Sequence, residues 1–487
     1  MKNSLLAVLR VLSLVLMIFS ATMLVPWGVS YWLKDGAQFA YDEGIVITLS
    51  SGTLLWFFTR HHKRELRIKD GFLLVVLAWT VVPAFATIPL LAYFWPRLSF
   101  TDAYFEAVSG MTTTGATVLE GLDKLPYSIN FWRGELVWLG GMGLIVLVVA
   151  ILPLLGVGGR QIFKAEAPGP MKDSKLTPRM TETAKGLWLV YLALTVACAL
   201  SLKWAGMDWQ DAVMHCFSIM GLGGFSTHDA SFGHFNSVAI EVVSIFFMTL
   251  CGMNFATHFV ALRGRSARPY WFDPEIRWYL FAMYTGVLLV TYYLWAMGTY
   301  PDFWTALRFA AFNTVSIATT TGFANTDYNL WPMFAPLWML FMSSFITCSG
   351  STGGGIKLVR AMILYKQVFL EILRAMHPSV VRPIKLAGQP LPANIVYAVL
   401  AFGFMYMVTL VSLTLVMAFS GLDIITGFSA VVACVNNTGP GLNQVGPATT
   451  FAVLNDFQTW VCTFGMLLGR LEIFTLLVVL SPAFWEK

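Results

Sequence analysis

One stretch, Val108-Ser-Gly-Met-Thr-Thr-Thr-Gly-Ala-Thr117, has three relatives further along the chain, and this repetition limits the fold more than any other feature. The relatives are Ser218-Ile-Met-Gly-Leu-Gly-Gly-Phe-Ser-Thr227, Ser316-Ile-Ala-Thr-Thr-Thr-Gly-Phe-Ala-Asn325 and Ala433-Cys-Val-Asn-Asn-Thr-Gly-Pro-Gly-Leu442. With Gly115, Gly224, Gly322 and Gly439 in register, the intervals are 109, 98 and 117 residues, a fourfold internal repeat. The register extends upstream. Six positions before each glycine stand Ser109, Ser218, Ser316 and Ala433, and twelve before stand Ala103, Ala212, Ala310 and Gly427. Small residues there suit a short helix that packs closely. Each copy therefore reads as a short apolar helix running into non-helical Gly/Thr-rich backbone, and four such turns can close one ring.

Composition says where the ring must be. Of 487 residues, 57% are hydrophobic and only 12% charged, too few charges to cover a water-facing surface. The chain reads as an all-α polytopic membrane protein. Its net charge of +5 does not point to nucleic acid, because most basic residues fall in short loops between apolar spans. The cysteines Cys198, Cys216, Cys251, Cys348, Cys434 and Cys462 lie in or beside apolar stretches without CxxC spacing, and read as free core thiols. At the N-terminus Lys2 and Arg10 lead into a long apolar run without a small-residue cleavage site, which predicts a retained first helix.

Spans of about 20 residues, enough to cross hydrocarbon, are predicted near 5–28, 40–58, 71–94, 130–156, 186–205, 237–262, 277–298, 332–366, 393–419 and 455–480. The four glycine stretches fall between the third and fourth, fifth and sixth, seventh and eighth, and ninth and tenth. The organisation is then an N-terminal hairpin with a basic loop (1–70) and four helix–pore-loop–helix repeats at 71–160, 161–265, 266–385 and 386–487 around one pore. A broken second helix is predicted in the third repeat. The loop 59–69 carries five basic residues, and segments 159–185, 263–277 and 356–387 carry six, four and six, all on one side. By the Lys/Arg asymmetry these segments and both termini are cytoplasmic, and the glycine loops dip in from outside.

Non-helical backbone at membrane depth is tolerated only where it is buried in protein or lines water. Four copies suit a selectivity filter, in which carbonyls replace the hydration shell of a cation and the negative ends of four short helices face the cavity below. Glycine allows the φ values that turn carbonyls inward. The filter residues are Thr113, Thr114 and Gly115; Leu222, Gly223 and Gly224; Thr320, Thr321 and Gly322; Asn437, Thr438 and Gly439.

On these motifs the whole chain resembles the Trk/Ktr/HKT superfamily of potassium transporters, and within it the bacterial Trk potassium-uptake membrane subunits, which have the extra N-terminal hairpin. The resemblance implies four pore-loop repeats in one chain and potassium as the ion, since Gly115 stands where a serine would go with sodium. It also implies a homodimer in the cytoplasmic (inner) membrane, docked on a nucleotide-binding regulatory subunit. No cofactor is expected besides potassium ions in the filter.

Two further places break the rules for a membrane span. The eighth span is too long for one helix and is interrupted by Ser349, Gly350, Ser351, Thr352, Gly353, Gly354 and Gly355. Lys357 follows the glycines, yet Ile356 intervenes and Leu358 stands where a phosphate-binding loop needs Ser or Thr. The resemblance implies an intramembrane loop beneath the filter that acts as a gate. Arg470 lies deep in the last span, where a charge costs about 2.5–3.5 kcal/mol and must find a partner; the loop at 349–355 is the expected one. Glu106, His215 and Asn313 are expected to anchor the short helices by hydrogen bonds.

A cation channel, an alternating-access carrier and a membrane enzyme are the three function classes open to such a chain. A carrier calls for broken helices in paired halves, whereas four equivalent loops and one broken helix are predicted here. An enzyme needs a reactive cluster at the membrane face, and no HExxH, GxSxG or paired-Asp pattern occurs. The sequence therefore points to potassium uptake through a filter, with Na+/H+-coupled potassium symport as the alternative.

Overall fold

The structure, a computed structural model, describes residues 2–486 apart from 63–65, 95, 143–179 and 387. It is helical almost throughout. Strand among the described residues amounts to the antiparallel pair Lys385–Leu386 and Gln389–Pro390, with Lys385 opposite Pro390. Large apolar side chains that water would drive inward stand outward: Phe281, Leu288, Val411 and Leu415 are each more than half exposed. A continuous surface of this kind is stable against hydrocarbon.

Among the described residues five helices are long and apolar enough to cross a membrane alone: Ser4–Leu33, Lys69–Phe94, Ala184–Trp204, Pro274–Ala296 and Ala393–Phe419. The number is seven if each of two bent pairs is one span. Three predicted spans fall outside that count. The second forms the helix Gln38–Thr59, which carries Asp42 and Glu43; the fourth is described only in its first part, Tyr127–Gly141; the eighth is divided into Phe334–Ser343 and Leu358–Met376.

That division matches the predicted break at 349–355, but the expectation that it would be the single broken helix is wrong. Val238–Cys251 meets Phe255–Gly264 at 95°, and Asp456–Arg470 meets Phe474–Leu480 at 111°. Hydropathy is blind to both corners because each bent pair, taken together, is still apolar enough to read as one span. The local signals are polar: Asn254 caps its second half by accepting from the Ala256 amide at 2.9 Å, and Glu472 and Ile473 take left-handed φ values of 53° and 55°.

Four short helices, Phe100–Met111, Trp209–Gly221, Phe303–Ala318 and Ile424–Val435, precede the four glycine stretches. Each begins on a side-chain cap, Ser99, Asp208, Asp302 or Asp423, which accepts from backbone amides of the first turn. The third is a turn longer than the rest, at 16 residues against 12, 13 and 12. Ala103, Ala212, Ala310 and Gly427 are buried on these helices, so the small-residue register serves close packing as the sequence implied. The main core cluster joins the N-terminal helices to repeats 1, 3 and 4, and a second lies between repeats 2 and 3. All six cysteines are free and buried.

Candidate functional site: a glycine ring above a buried loop

At the end of each short helix the backbone repeats itself closely. The amide one residue before the glycine donates to the carbonyl six before it: Thr114 to Ser109 at 2.8 Å, Gly223 to Ser218 at 2.9 Å, Thr321 to Ser316 at 2.8 Å and Thr438 to Ala433 at 2.8 Å. Two residues before each glycine the chain is left-handed, at Thr113 (57°), Leu222 (57°), Thr320 (61°) and Asn437 (53°). The glycines themselves have φ of 80°, 64°, 92° and 93°. This alternation of sign turns successive carbonyls toward one side, which a regular strand cannot do. A left-handed conformation costs a β-branched residue on the order of 1–2 kcal/mol. Thr113 and Thr320 are fully buried and held in it by the hydrogen bonds around them.

The four strands close head to tail. A Cβ added to Gly115 would overlap the carbonyl oxygen of Gly223; one on Gly224 would overlap that of Thr321, and one on Gly322 that of Thr438. Gly439 completes the circuit, with an added Cβ 2.8 Å from the carbonyl oxygen of Thr114. Each glycine thus lets the carbonyl of the next repeat approach its backbone, and the four carbonyls of Thr114, Gly223, Thr321 and Thr438 form a ring. All twelve residues named from the sequence meet here. Gly115, Gly224 and Gly322 keep partial exposure among otherwise buried neighbours, so the ring borders an opening.

Behind the ring each short helix ties its own strand. Glu106 accepts from the Thr117 hydroxyl at 3.0 Å, the Val118 amide at 3.1 Å and Arg133 Nε at 2.8 Å. His215 Nε2 pairs with the Ser226 hydroxyl at 2.8 Å, and Asn313 donates to Asn325 at 2.6 Å. In the fourth repeat Ser429 takes over, accepting from the Leu442 amide at 2.9 Å. The anchoring role expected for Glu106, His215 and Asn313 is what the structure shows. Arg133 was missed. It is wholly buried, reaches the Ser226 carbonyl at 3.2 Å and lies 4.2 Å from the Phe225 ring, so the Glu106–Arg133 pair clamps repeat 1 to repeat 2. Losing either partner would strand a buried charge, at a cost of about 3–5 kcal/mol. It stands near the start of the predicted span 130–156, and nothing along the chain marks its partner Glu106, 27 residues earlier.

Below the ring lies the chain between Ser343 and Leu358. Thr352 donates to the Met220 carbonyl at 3.1 Å and the Gly354 amide to the Thr320 hydroxyl at 2.8 Å, so the loop touches repeats 2 and 3 directly. A Cβ on Gly354 would overlap the Asn436 carbonyl, which brings in repeat 4. On the far side Ser349 is held by Glu275, whose carboxylate accepts its amide at 2.6 Å. The Gly350 carbonyl accepts from the Phe255 amide at 3.0 Å.

Arg470 reaches this loop as expected. Its guanidinium donates to the Thr352 carbonyl at 3.1 Å, the Thr113 hydroxyl at 3.2 Å, the Gly141 carbonyl at 3.3 Å and the Gly140 carbonyl, with Trp79 at 5.4 Å. One side chain therefore connects the ring, the loop and the end of the Tyr127–Gly141 helix. Two other cations were counted in the sequence as loop charges and are in fact buried. Lys357 bonds the Gly353 carbonyl and the Ser351 hydroxyl, the latter at 3.3 Å; Arg360 pairs with Glu472 and lies 4.1 Å from the Phe402 ring. Segment 356–387 consequently offers less basic surface than its composition suggests.

Fold and site together define a membrane protein with four pore-loop repeats in one chain, a glycine ring at the centre and a basic, glycine-rich loop under it. The family described as "TrkH: Cation transport protein" matches residues 37–487. The chain is 46% identical over 482 residues, 99% of each protein, to the Trk system potassium uptake protein TrkH of Salmonella typhimurium. It is 36% identical over 470 residues to the Trk system potassium uptake protein TrkG of Escherichia coli, covering 96% of each. The crystal structure of the potassium transporter TrkH from Vibrio parahaemolyticus superposes with a TM-score of 0.89 at 43% identity, covering 99% of this chain and all of that one. The chain belongs to the TrkH family of cation transport proteins.

Proposed function

We propose that this protein takes up potassium across the cytoplasmic membrane through the glycine ring, which acts as a selectivity filter with potassium ions in it. The closed circuit of four carbonyls, each packed on the glycine of the preceding repeat, carries the reading. Carbonyls favour a monovalent cation, while no carboxylate ring is present among the described residues to favour a divalent one. The positive-inside rule sets the ring toward the outside and both termini toward the cytoplasm. The relatives named as potassium uptake proteins support potassium as the ion. Proteoliposomes containing the chain should accumulate labelled rubidium saturably, with potassium competing well ahead of sodium. Rubidium entering no faster than into empty liposomes would end this reading.

The loop 343–358 and Arg470 form the gate. Arg470 and Lys357 place positive charge on the loop, while Arg360 beside it is paired with Glu472. Because the inner helices of at least three repeats are broken, Na+/H+-coupled symport remains the second reading. Driving uptake with a sodium or proton gradient at zero membrane potential separates the two, since a channel responds only to the gradient of the conducted ion.

The working unit is a homodimer that docks a nucleotide-binding regulatory subunit on its cytoplasmic face. Contacts are expected at segments 160–185, most of it outside the described residues, and 356–387, where Arg374 and Arg382 are exposed. Reversing the charge of Lys172, Lys175, Arg374 and Arg382 together should abolish co-purification of the regulatory subunit at physiological salt. Undiminished co-purification would move the contact elsewhere.

A further inference from the structure

Outside the ring, one group of three side chains with metal-ligating atoms stands together among the described residues: Asp123, His228 and His234, with their atoms all within 4.8 Å of one another. Asp123 belongs to the turn Leu122–Lys124 that follows the first glycine strand. His228 lies four residues beyond Gly224, and His234 just after the turn Ser231–Gly233. The cluster therefore bridges repeats 1 and 2 on the face where the short helices begin.

Its second layer is built as well. His228 Nδ1 faces the Asp123 carboxylate, while its Nε2 meets Asp211 at 3.2 Å. Asp211 is held in turn by the Thr227 hydroxyl at 2.6 Å. A carboxylate on the far nitrogen of a histidine fixes ring orientation and raises ligand basicity, the usual support of a metal-bound imidazole. The other Asp123 oxygen accepts from the Asp229 amide at 3.2 Å, and Asp229 accepts from the Leu122 amide at 3.0 Å, so the two loops hold each other. The His228 and His234 rings lie parallel, with centroids 3.5 Å apart and planes within 5°. Neighbouring ligands around tetrahedral zinc are about 3.3 Å apart for bond lengths near 2.0–2.1 Å. Ring lone pairs lie in the ring plane, so the exposed His234 has to swing out of this stack for both imidazoles to face one ion, a movement its place on an exposed loop allows.

We propose that Asp123, His228 and His234 bind a zinc-class divalent cation with water as fourth ligand, and that the bound ion slows uptake. Two imidazoles and one carboxylate suit zinc better than calcium or magnesium, which prefer oxygen. The ion would lock the outer loops of repeats 1 and 2 together and place positive charge beside the mouth of the path.

The test uses the full chain purified in detergent and the same chain in proteoliposomes, with zinc chloride as the probe and cobalt(II) as its spectroscopic substitute. One saturable zinc per chain is expected, with tetrahedral cobalt bands in the visible. Both should be lost in His228→Ala and His234→Ala and kept in the control His377→Ala. Saturating zinc should slow rubidium uptake roughly threefold or more, as loss of electrostatic focusing would, and should have no effect on His234→Ala. Absence of saturable binding would overturn the site, as would binding unchanged in both His234→Ala and Asp123→Asn. Binding without slowing would overturn the control of uptake. The binding readout needs no transport, so it stands or falls apart from the potassium reading.

Discussion

Replacing Arg470 by alanine should raise rubidium flux roughly thirtyfold in liposomes lacking the regulatory subunit, and should leave that subunit little to add. The guanidinium spans the Thr352 carbonyl of the loop, the Thr113 hydroxyl of the ring and the carbonyls of Gly140 and Gly141. A hydrogen bond from a charged donor contributes about 1.5–3 kcal/mol. If the loop is the gate as proposed, this bond is made only in the closed state, and its loss shifts that state by about 2 kcal/mol, a factor of roughly thirty. Arg470→Lys should fall between, because an ammonium keeps the charge but cannot fork to several carbonyls. Lys357 adds a second cation on the Gly353 carbonyl, so Lys357→Met combined with Arg470→Ala should exceed either alone. Deleting Gly353 to Gly355 should also raise flux. A folded, membrane-inserted Arg470→Ala protein with wild-type flux would place the gate elsewhere.

Gly115→Ser and Gly322→Ser should each lower potassium-over-sodium discrimination at least about tenfold, with Gly439→Ser milder. At the first two positions an added Cβ overlaps a carbonyl of the next repeat, and the left-handed backbone costs an L-residue a further 1–2 kcal/mol or so. The carbonyl must move, and a displacement worth about 1.4 kcal/mol is already tenfold. At Gly439 the nearest carbonyl oxygen would be 2.8 Å away, close enough to strain but with less overlap. Sodium competition against rubidium uptake gives the ranking directly. Equal discrimination in all three variants and the wild type would remove the ring from the account of selectivity.

The repeat was legible because its signals are local. A glycine between Thr- and Gly-rich residues, with small residues six and twelve positions earlier, needs no knowledge of the partners to be recognised; the helix starts were less regular, since Ser99, Asp208 and Asp423 stand 16 positions before their glycines and Asp302 stands 20 before. The charge of Arg470 was legible for a related reason: hydrocarbon tolerates no unpaired cation, so a partner could be demanded, and the polar run 349–355 was predicted at its depth. The carrier argument fared worse. It rested on four equivalent loops and a single broken helix; the corners at 252–254 and 471–473 remove the second support and leave the first.

By itself the sequence determined a membrane chain of four pore-loop repeats, the twelve residues of the ring, the broken third repeat and the pairing of Arg470 with the loop. Each follows from period, apolarity or the cost of a charge in lipid, which act along the chain or against a uniform solvent. Only the tertiary structure decided which carbonyl rests on which glycine and that Lys357 and Arg360 are buried. It also decided that Arg133 clamps Glu106 and that Asp123 meets His228 and His234 across 105 and more residues of chain. These pairings join different repeats, and no pattern within one repeat can specify them. They are set when packing brings four separately capped helices around one axis, where the space beside each glycine, and the charge it leaves to be balanced, first come into being.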